Sequence, residues 1–228
     1  DSSEFSAVNT DFIGNITNST SGGAVLNNSS NPLFIDGCYF ELNSSNTVGG
    51  AISAIEDSLD LSFLTLRNSI FNFNIAGTQG GALNISNADA IIESCVFTNN
   101  NALADGIGGA ISLNSSTGGA SDDLQVQITN STIADNLGDL VAGIASWTDG
   151  IATSTLAVQN NIFAQRVGLD YDIEDGTPEI VSDGGNLTFF DLQPDIFDHP
   201  MDIIGADPLF TDIDDYDFSV QDGSPCID

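Results

Sequence analysis

Apolar and polar residues alternate over short stretches of this chain, and the same alternation returns many times. In Ile91-Ile92-Glu93-Ser94-Cys95-Val96-Phe97 the pattern has period two over one stretch of strand length. An alternation of this kind indicates a short β-strand with one buried face. Asn, Ser, Thr, Gly and Asp fill the gaps between such stretches, so the pattern predicts many short strands joined by polar turns.

Two motifs alternate in fixed order along most of the chain. The first is Gly-Gly-Ala followed by Val, Ile or Leu. Its copies begin at Gly22, Gly49, Gly80 and Gly108, with a degenerate fifth copy at Ala142. The second is Phe-x-x-Asn. Its copies begin at Phe12, Phe40, Phe71 and Phe97, continue at Ile133 and decay at Phe163. Steps of 27, 31, 28 and about 34 residues between copies of the first motif indicate one structural unit per repeat.

A unit of this length cannot bury its apolar face alone, whereas stacked units share one continuous core. The repeat therefore predicts an all-β fold, a right-handed parallel β-helix of about six coils with three short strands in each. The coils occupy residues 1–167. Residues 168–228 form a terminal coil and an acidic C-terminal cap within the same domain.

Stacking at an interstrand spacing of about 4.8 Å places each residue above its equivalent in the preceding coil. The aromatic side chains then form an internal stack, and the amides form a ladder whose members bond one another along the axis. The predicted members of this structural ladder are Phe12, Phe40, Phe71, Phe97, Phe163, Asn15, Asn43, Asn74, Asn100 and Asn136. The Gly-Gly pairs are interpreted as positions of positive φ or of close backbone approach. A phosphate-binding loop is the alternative, but no helix pattern or lysine follows the glycines.

The alternation of the two motifs over residues 9–166 resembles the repeat pair of the chlamydial polymorphic outer membrane proteins. That resemblance implies a β-helical adhesin passenger. The tail contains Gly184-Gly185-Asn186-Leu187, Asp207-Pro208-Leu209-Phe210 and Gly223-Ser224-Pro225-Cys226-Ile227-Asp228. It looks like the last coil of bacterial secreted β-helix proteins with varied C-terminal anchors. Together the two resemblances imply a bacterial, extracellular or cell-surface protein.

The charge balance narrows the choice of partners. The chain has 33 acidic residues against two arginines and no lysine, for a net charge of −31. Nucleic acid needs a basic face, so it is excluded as a partner. Anionic membrane surfaces and polyuronate substrates are disfavoured for the same reason. No apolar run reaches the 18 or so residues of a membrane span, and we expect no membrane insertion.

Few residues are available for catalysis, and we expect none of them to be catalytic. Arg67 and Arg166 lie about three coils apart in the predicted register, with Arg166 at a ladder position, and His199 is the only histidine. Asp122-Asp123 and Asp214-Asp215 are adjacent acids in turn-like segments, which solvation explains without a hydrolase role. The chain is therefore expected not to be an enzyme. A polysaccharide lyase or hydrolase is the alternative.

Calcium is the one cofactor that the sequence suggests, and none is required. Asp212, Asp214, Asp215 and Asp217 place hard oxygen donors in one short loop, as calcium prefers. The acidic segment Asp170–Asp175 is a weaker candidate. Among the Asn-x-Ser/Thr sequons, Asn28 and Asn114 are expected in exposed loops open to glycosylation. Cys38 and Cys95 are expected to face inward about two coils apart, too far for a disulfide, and to fill the core.

The expected function is structural or adhesive, with a cell-surface glycan or protein as a partner. Self-association through the N-terminal coil, into a filament or surface layer, is predicted because an uncovered coil exposes a strand edge. Attachment of a preceding domain at the same coil is the alternative way to cover that edge. A carbohydrate-binding module is the alternative function, and Trp147, Tyr171 and Tyr216 are its candidate aromatic residues.

Overall fold

The computed structural model describes residues 4–18, 21–55, 63–103, 105–116, 123–148, 153–173, 177–189, 197–215 and 217–227. The side chains of residues 123, 153, 171–173, 177 and 178 are outside that description. Some residues named in the sequence analysis therefore lie outside this description. They are Asp122, Glu174, Asp175 and Tyr216, together with the side chains of Tyr171 and Asp172.

The chain folds as a parallel β-solenoid with five complete turns of four strands each. The strands of these turns are, in chain order, β1 (Phe5–Val8), β2 (Asp11–Ile13), β3 (Ile16–Thr17), β4 (Val25–Asn27), β5 (Leu33–Asp36), β6 (Tyr39–Glu41), β7 (Ser44–Ser45), β8 (Ile52–Ile55), β9 (Phe63–Arg67), β10 (Ile70–Asn72), β11 (Ile75–Ala76), β12 (Leu83–Ser86), β13 (Asp89–Glu93), β14 (Val96–Thr98), β15 (Asn101–Ala102), β16 (Ile111–Ser115), β17 (Asp123–Thr129), β18 (Thr132–Ala134), β19 (Leu137–Gly138) and β20 (Val141–Thr148).

Incomplete turns follow. The remaining strands are β21 (Thr153–Gln159), β22 (Ile162–Ala164), β23 (Leu169–Ile173), β24 (Thr177–Ser182), β25 (Leu187–Thr188), β26 (Ile203–Ile204), β27 (Phe210–Asp212) and β28 (Asp217–Val220). The last two pair as an antiparallel hairpin, which we call the C-terminal hairpin.

Equivalent strands of successive turns form four parallel sheets that run the length of the solenoid. Sheet A contains β1, β5, β9, β13, β17, β21 and β24; sheet B contains β2, β6, β10, β14, β18, β22, β25 and β26; sheet C contains β3, β7, β11, β15 and β19; and sheet D contains β4, β8, β12, β16, β20 and β23. The all-β parallel solenoid expected from the repeat is confirmed. Each turn has four strands rather than the predicted three, because the two-residue strands of sheet C are too short to show an alternating pattern.

Two corners of each turn have a fixed length. Two residues separate sheet A from sheet B, and two residues separate sheet B from sheet C, in every complete turn. The first residue of each pair is left-handed, for example Asn68 (φ 48°) and Phe73 (φ 54°), and the second points inward, as Ser69 and Asn74 do. A left-handed residue reverses the chain within one step, so it sets a tight corner. The inward positions are therefore in register from turn to turn.

The two glycines of each Gly-Gly pair have different roles at the corner that enters sheet D. The first is left-handed, with φ of 65° at Gly49 and 60° at Gly80. The second lies against the next turn, because a Cβ on Gly50 would collide with the carbonyl oxygen of Gly81. Positive φ and close approach are thus both present, one at each glycine of the pair.

The corner between sheets C and D varies in length but carries the Gly-Gly motif, whereas the corner between sheet D and sheet A varies without a shared motif. The latter corner is two residues long at positions 87–88 and seven residues long at positions 116–122. Because the corners on either side of sheet B keep a constant length, the uneven steps between repeats are taken up here and at the corner between sheets C and D, which is eight residues long at 103–110 and two at 139–140. The parallel register between turns is kept despite the changes in repeat length, apart from an irregularity between Val141 and Ile144 in sheet D.

Beyond the complete turns the chain covers the core and then returns along sheet B. The ring of Phe197 lies 5.1 Å from that of Phe163 at the end of the core. The C-terminal hairpin lies outside sheet B, since Phe218 lines a groove there with Ile70 and Val96. The predicted C-terminal cap is thus divided between a plug at the end of the core and a strap on the side.

Candidate functional site

A column of aromatic rings fills the interior behind sheet B. Phe12, Phe40, Phe71 and Phe97 pair in register along sheet B, and their successive ring centroids lie 4.6, 4.7 and 4.7 Å apart. Ile133 continues the row, and Phe163 follows it. All members are fully buried except Phe12, which is half-buried at the first turn.

The asparagines of the second motif form a directional ladder at the corner between sheets B and C. The backbone N–H and the Nδ2 of Asn74 both donate to Asn100 Oδ1, at 3.0 and 2.9 Å. The same Nδ2 also donates to the carbonyl oxygen of Phe40 in the preceding turn, at 2.9 Å. Asn15, Asn43 and Asn100 donate in the same direction, each to the next turn. The buried amides of Asn43, Asn74 and Asn100 are satisfied along the axis, which makes each turn dependent on its neighbours.

Gln165, rather than Arg166, continues this ladder after Asn136. Gln165 Oε1 accepts the backbone N–H of Asn136 at 2.7 Å, and its Nε2 donates to the carbonyl oxygen of Ile133 at 2.8 Å. The expectation that Arg166 occupies the ladder position was wrong by one residue. The backbone N–H of Gln165 then donates to Asp170 Oδ1 at 3.1 Å. A carboxylate has no N–H to pass on, so the ladder ends there.

A second ladder, which the sequence analysis did not predict, runs along the corner between sheets A and B. Ser131 donates its backbone N–H to Asn161 Oδ1, and Asn161 donates its own N–H and Nδ2 to Asn186 Oδ1. Asn186 donates in turn to Asp202 Oδ1, at 2.9 Å from its backbone N–H. The signal was available in the sequence. A small polar residue or cysteine stands two positions before each motif Phe or its equivalent from Cys38 onward.

The cysteines belong to this second row. Cys38 and Cys95 are both buried and form no disulfide. The backbone N–H of each donates to a serine of the following turn. Burial raises the pKa of the Cys95 thiol to about 12, which keeps it protonated and unreactive. Cys226 is half-buried in the tail and is also a free thiol.

Arg166 fastens the C-terminal hairpin to the solenoid. Its Nε donates to Asp135 Oδ1 at 2.7 Å, and its Nη1 lies 3.4 Å from Asp214 Oδ1. The hydrogen bond to Asp135 raises the pKa of the guanidinium. Arg166 also lines a cleft of about 320 Å³ beside the hairpin, together with Asp207, Phe210 and Gln221. Its guanidinium is thus already engaged by two carboxylates.

An open groove of about 670 Å³ lies on the outer face of sheet B, with the C-terminal hairpin along one side. We call it the outer groove, and its lining residues are Tyr39, Glu41, Ile70, Asn72, Phe73, Val96, Thr98, Phe218 and Ser219. Tyr39 donates its hydroxyl to Glu41 Oε1 at 3.0 Å, and burial raises the pKa of that hydroxyl. Thr98 donates to Asn72 Oδ1 at 3.2 Å. Apolar walls with a few hydroxyl, amide and carboxylate groups suit a polar, uncharged ligand.

The groove aromatics are not those expected from the sequence. Tyr39 was overlooked because it stands directly before a motif Phe, where it is carried on the outer face of the strand. Trp147 is half-buried beside Ile107 and Val141, so it packs within the molecule rather than facing a ligand. His199 donates its backbone N–H to Asp202, and Arg67 pairs with Glu93 on the outer face of sheet A.

The tail aspartates hold turns of the hairpin. Asp212 Oδ1 accepts the backbone N–H groups of Asp214 and Asp215, both at 3.2 Å. Asp217 Oδ1 accepts from the backbone N–H and hydroxyl of Ser219, which lowers the pKa of Asp217. Within the part of the chain that the structure describes, no group of three or more acidic, histidine or cysteine side chains is arranged to hold a metal ion. The calcium hypothesis gains no support from this geometry.

The two sequons lie in different surroundings. Asn28 is exposed between β4 and β5. Asn114 lies in β16 rather than in a loop, is 5% exposed, and donates to Asn84 Oδ1 at 2.8 Å. The expectation of an exposed loop at Asn114 was therefore wrong. A glycan on its Nδ2 would displace this buried hydrogen bond.

Comparison with known proteins does not place this chain in a family. The chain matches no model of a protein family, no curated protein and no solved structure. Among the residues that the structure describes, no helix is long and apolar enough to cross a membrane.

Proposed function

We propose that this chain is a non-catalytic structural and adhesive segment of a bacterial protein located outside the cell or on its surface. The observation that carries the proposal is the axial continuity of the buried groups. Phenylalanine rings and amide ladders bond each turn to the next, with the side chains of Asn43, Asn74 and Asn100 completely buried. Such an interior makes a rod that resists local opening, since releasing one turn leaves polar groups of its neighbours unsatisfied.

The surface charge supports an extracellular role. A net charge of −31 with two arginines keeps separate molecules apart in solution. Both arginines are already paired with carboxylates, Arg67 with Glu93 and Arg166 with Asp135. The repeat pair also resembles that of the chlamydial polymorphic outer membrane proteins, and a passenger-like adhesive role is part of this proposal.

The test is adhesion of beads coated with the chain to cultured cells under flow, compared with beads coated with the same chain after thermal unfolding. We expect the folded chain alone to retain the beads. Equal retention by folded and unfolded chain would reduce the effect to charge and contradict the proposal. Release of reducing ends or of unsaturated uronate from a panel of polysaccharides would contradict its non-catalytic part.

A carbohydrate-binding module is the second candidate, and the outer groove favours it. Tyr39, Asn72 and Thr98 present hydrogen-bonding groups beside Phe73 and Phe218. A glycan array probed with and without calcium tests this candidate. Tyr39→Phe and Asn72→Ala should abolish any genuine signal, while Phe34→Ala on the outer face of sheet A serves as the matched control. Binding that survives both groove variants would place the glycan elsewhere.

A further inference from the structure

The hydrogen bonds along the floor of the outer groove all run in one direction. Thr98 donates its hydroxyl to Asn72 Oδ1 at 3.2 Å, and the Asn72 amide donates in turn to the hydroxyl of Tyr39. Tyr39 then donates its only O–H to Glu41 Oε1 at 3.0 Å. An ionised carboxylate accepts hydrogen bonds and has no proton to pass on. This relay of side chains therefore ends on an acceptor.

The hydroxyl groups of Tyr39, Thr98 and Ser219, which line the outer groove, are all engaged as donors. Ser219 donates to Asp217 Oδ1 at 2.6 Å. Within the described part of the chain, the Glu41 side chain accepts from Tyr39 alone, which leaves its Oε2 without a donor there. The groove thus has an acceptor to offer and few donors, so its complementary ligand is one that donates hydrogen bonds.

Glu41 is also a half-buried carboxylate without a cation supplied by this chain. It lines the groove with the apolar side chains of Ile70 and Val96, where a charged group loses part of its hydration. The chain has no lysine, and its two arginines pair with Glu93 and Asp135. A positive charge that complements Glu41 therefore comes from another molecule. The net charge of −31 attracts such a molecule from a distance.

We propose that the outer groove binds an arginine side chain carried by a basic segment of a partner protein. The guanidinium donates to the Glu41 carboxylate and lies against the rings of Tyr39 and Phe218, since aromatic faces attract a cation. Its methylene stem lies on Ile70 and Val96. Lysine fits less well, because its ammonium is strongly hydrated and cannot stack, and an amino sugar has no such stem. The inference rests on the adhesive role proposed above and states what the partner presents.

The experiment titrates the full chain, at physiological salt, with a blocked peptide of glycines around one central arginine, and follows binding by nuclear magnetic resonance. Peptides with citrulline, the uncharged isostere of arginine, or with lysine at the centre should bind more weakly. Glu41→Gln still accepts from Tyr39 but lacks the charge, and it should weaken binding of the arginine peptide about tenfold. Glu179→Gln, at an exposed position of β24, is the matched control. It changes the net charge by the same amount and should leave the affinity within about twofold.

Tyr39→Phe separates this proposal from the carbohydrate-binding candidate. It keeps both the ring and the Glu41 carboxylate, so arginine binding should stay within about twofold, whereas a glycan held by the hydroxyl would be lost. A loss in Tyr39→Phe as large as that in Glu41→Gln would overturn the proposal, as would equal binding of either control peptide or no binding of the arginine peptide. Equal losses in Glu41→Gln and Glu179→Gln would reduce the attraction to net charge and overturn it too. Peptide binding is measured apart from bead retention, so the adhesive role and this inference can fail independently.

Discussion

The middle turns and the C-terminal turns of this solenoid satisfy the same physical requirements with different residues. In turns two to four phenylalanine stacks on phenylalanine and asparagine bonds asparagine, always from equivalent positions. At the C-terminal end Gln165 replaces asparagine one position early, and Phe197 covers Phe163 from a segment more than thirty residues away. The middle turns thus keep both the positions and the chemistry of these contacts. The C-terminal end keeps only their chemistry.

The largest contrast should appear in the aromatic column. Phe71→Ala removes a fully buried ring stacked on both faces and should lower the free energy of unfolding by about 3–5 kcal/mol. Phe12→Ala is the matched control and should lower it clearly less, since Phe12 is half-buried and, among the described residues, its ring stacks on Phe40 alone. Urea unfolding followed by circular dichroism measures both. Equal losses would mean that the edge ring is as constrained as the central one.

The plug at the end of the core should come next. Phe197→Ala exposes Phe163 and should lower the free energy of unfolding by about 2–3 kcal/mol, less than a ring enclosed on both faces. Phe218 is only half-buried in the C-terminal hairpin outside sheet B, so Phe218→Ala should have a smaller effect. If the two variants prove indistinguishable in urea, the segment around Phe197 does not close the core.

The two arginines offer a sharper comparison between buried and exposed pairing. Arg166→Gln leaves Asp135, whose side chain is 3% exposed, without its partner and should lower the free energy of unfolding by about 1–3 kcal/mol. In Arg67→Gln the partner Glu93 is 41% exposed, and the loss should stay below about 1 kcal/mol. Adding Asp135→Asn to Arg166→Gln should restore part of the stability. The absence of any rescue would show that the guanidinium stabilises through packing alone.

An effect that is absent at neutral pH should be an alkaline loss of stability traceable to Cys95. Its folded-state pKa is raised by burial to about 12, above the ordinary value of 9.0. The unfolded chain therefore releases this proton at a lower pH than the folded chain, so the contribution is present below about pH 9 and lost as the pH rises toward 12. Cys95→Ala should flatten the fall in melting temperature over that interval more than Cys226→Ala, because Cys226 is only half-buried. Parallel curves for the two variants would assign the alkaline loss to other groups.

The same contrast explains what could be predicted from the sequence. Phe40, Phe71 and Phe97 were assigned to one column because a residue type that recurs at a constant offset identifies its own register. The second ladder escaped notice because cysteine, serine and asparagine alternate in it, and their shared property is a small polar group rather than a residue type. Phe197 and Asp202 could not be assigned, since they act from outside the repeat and no spacing rule connects them to it.

The strands of sheet C and the outer groove were missed for a different reason. A two-residue strand such as Ile75–Ala76 is shorter than any alternation that could reveal it. The groove depends on where the C-terminal hairpin lies, and Phe218 reaches Ile70 and Val96 only through tertiary packing. Patterns within the chain predict contacts between repeats, whereas contacts between a repeat and a non-repeating tail require the structure.

The corner between sheets D and A tolerates connections of different length along the whole solenoid. Its connections range from two residues at 87–88 to seven at 116–122, while the pairing on either side keeps its register. Segments of new sequence can be inserted there one turn at a time without moving the interior. Insertions at this corner can thus diversify independently of the scaffold, so a lineage could change the outer surface while inheriting the fold intact.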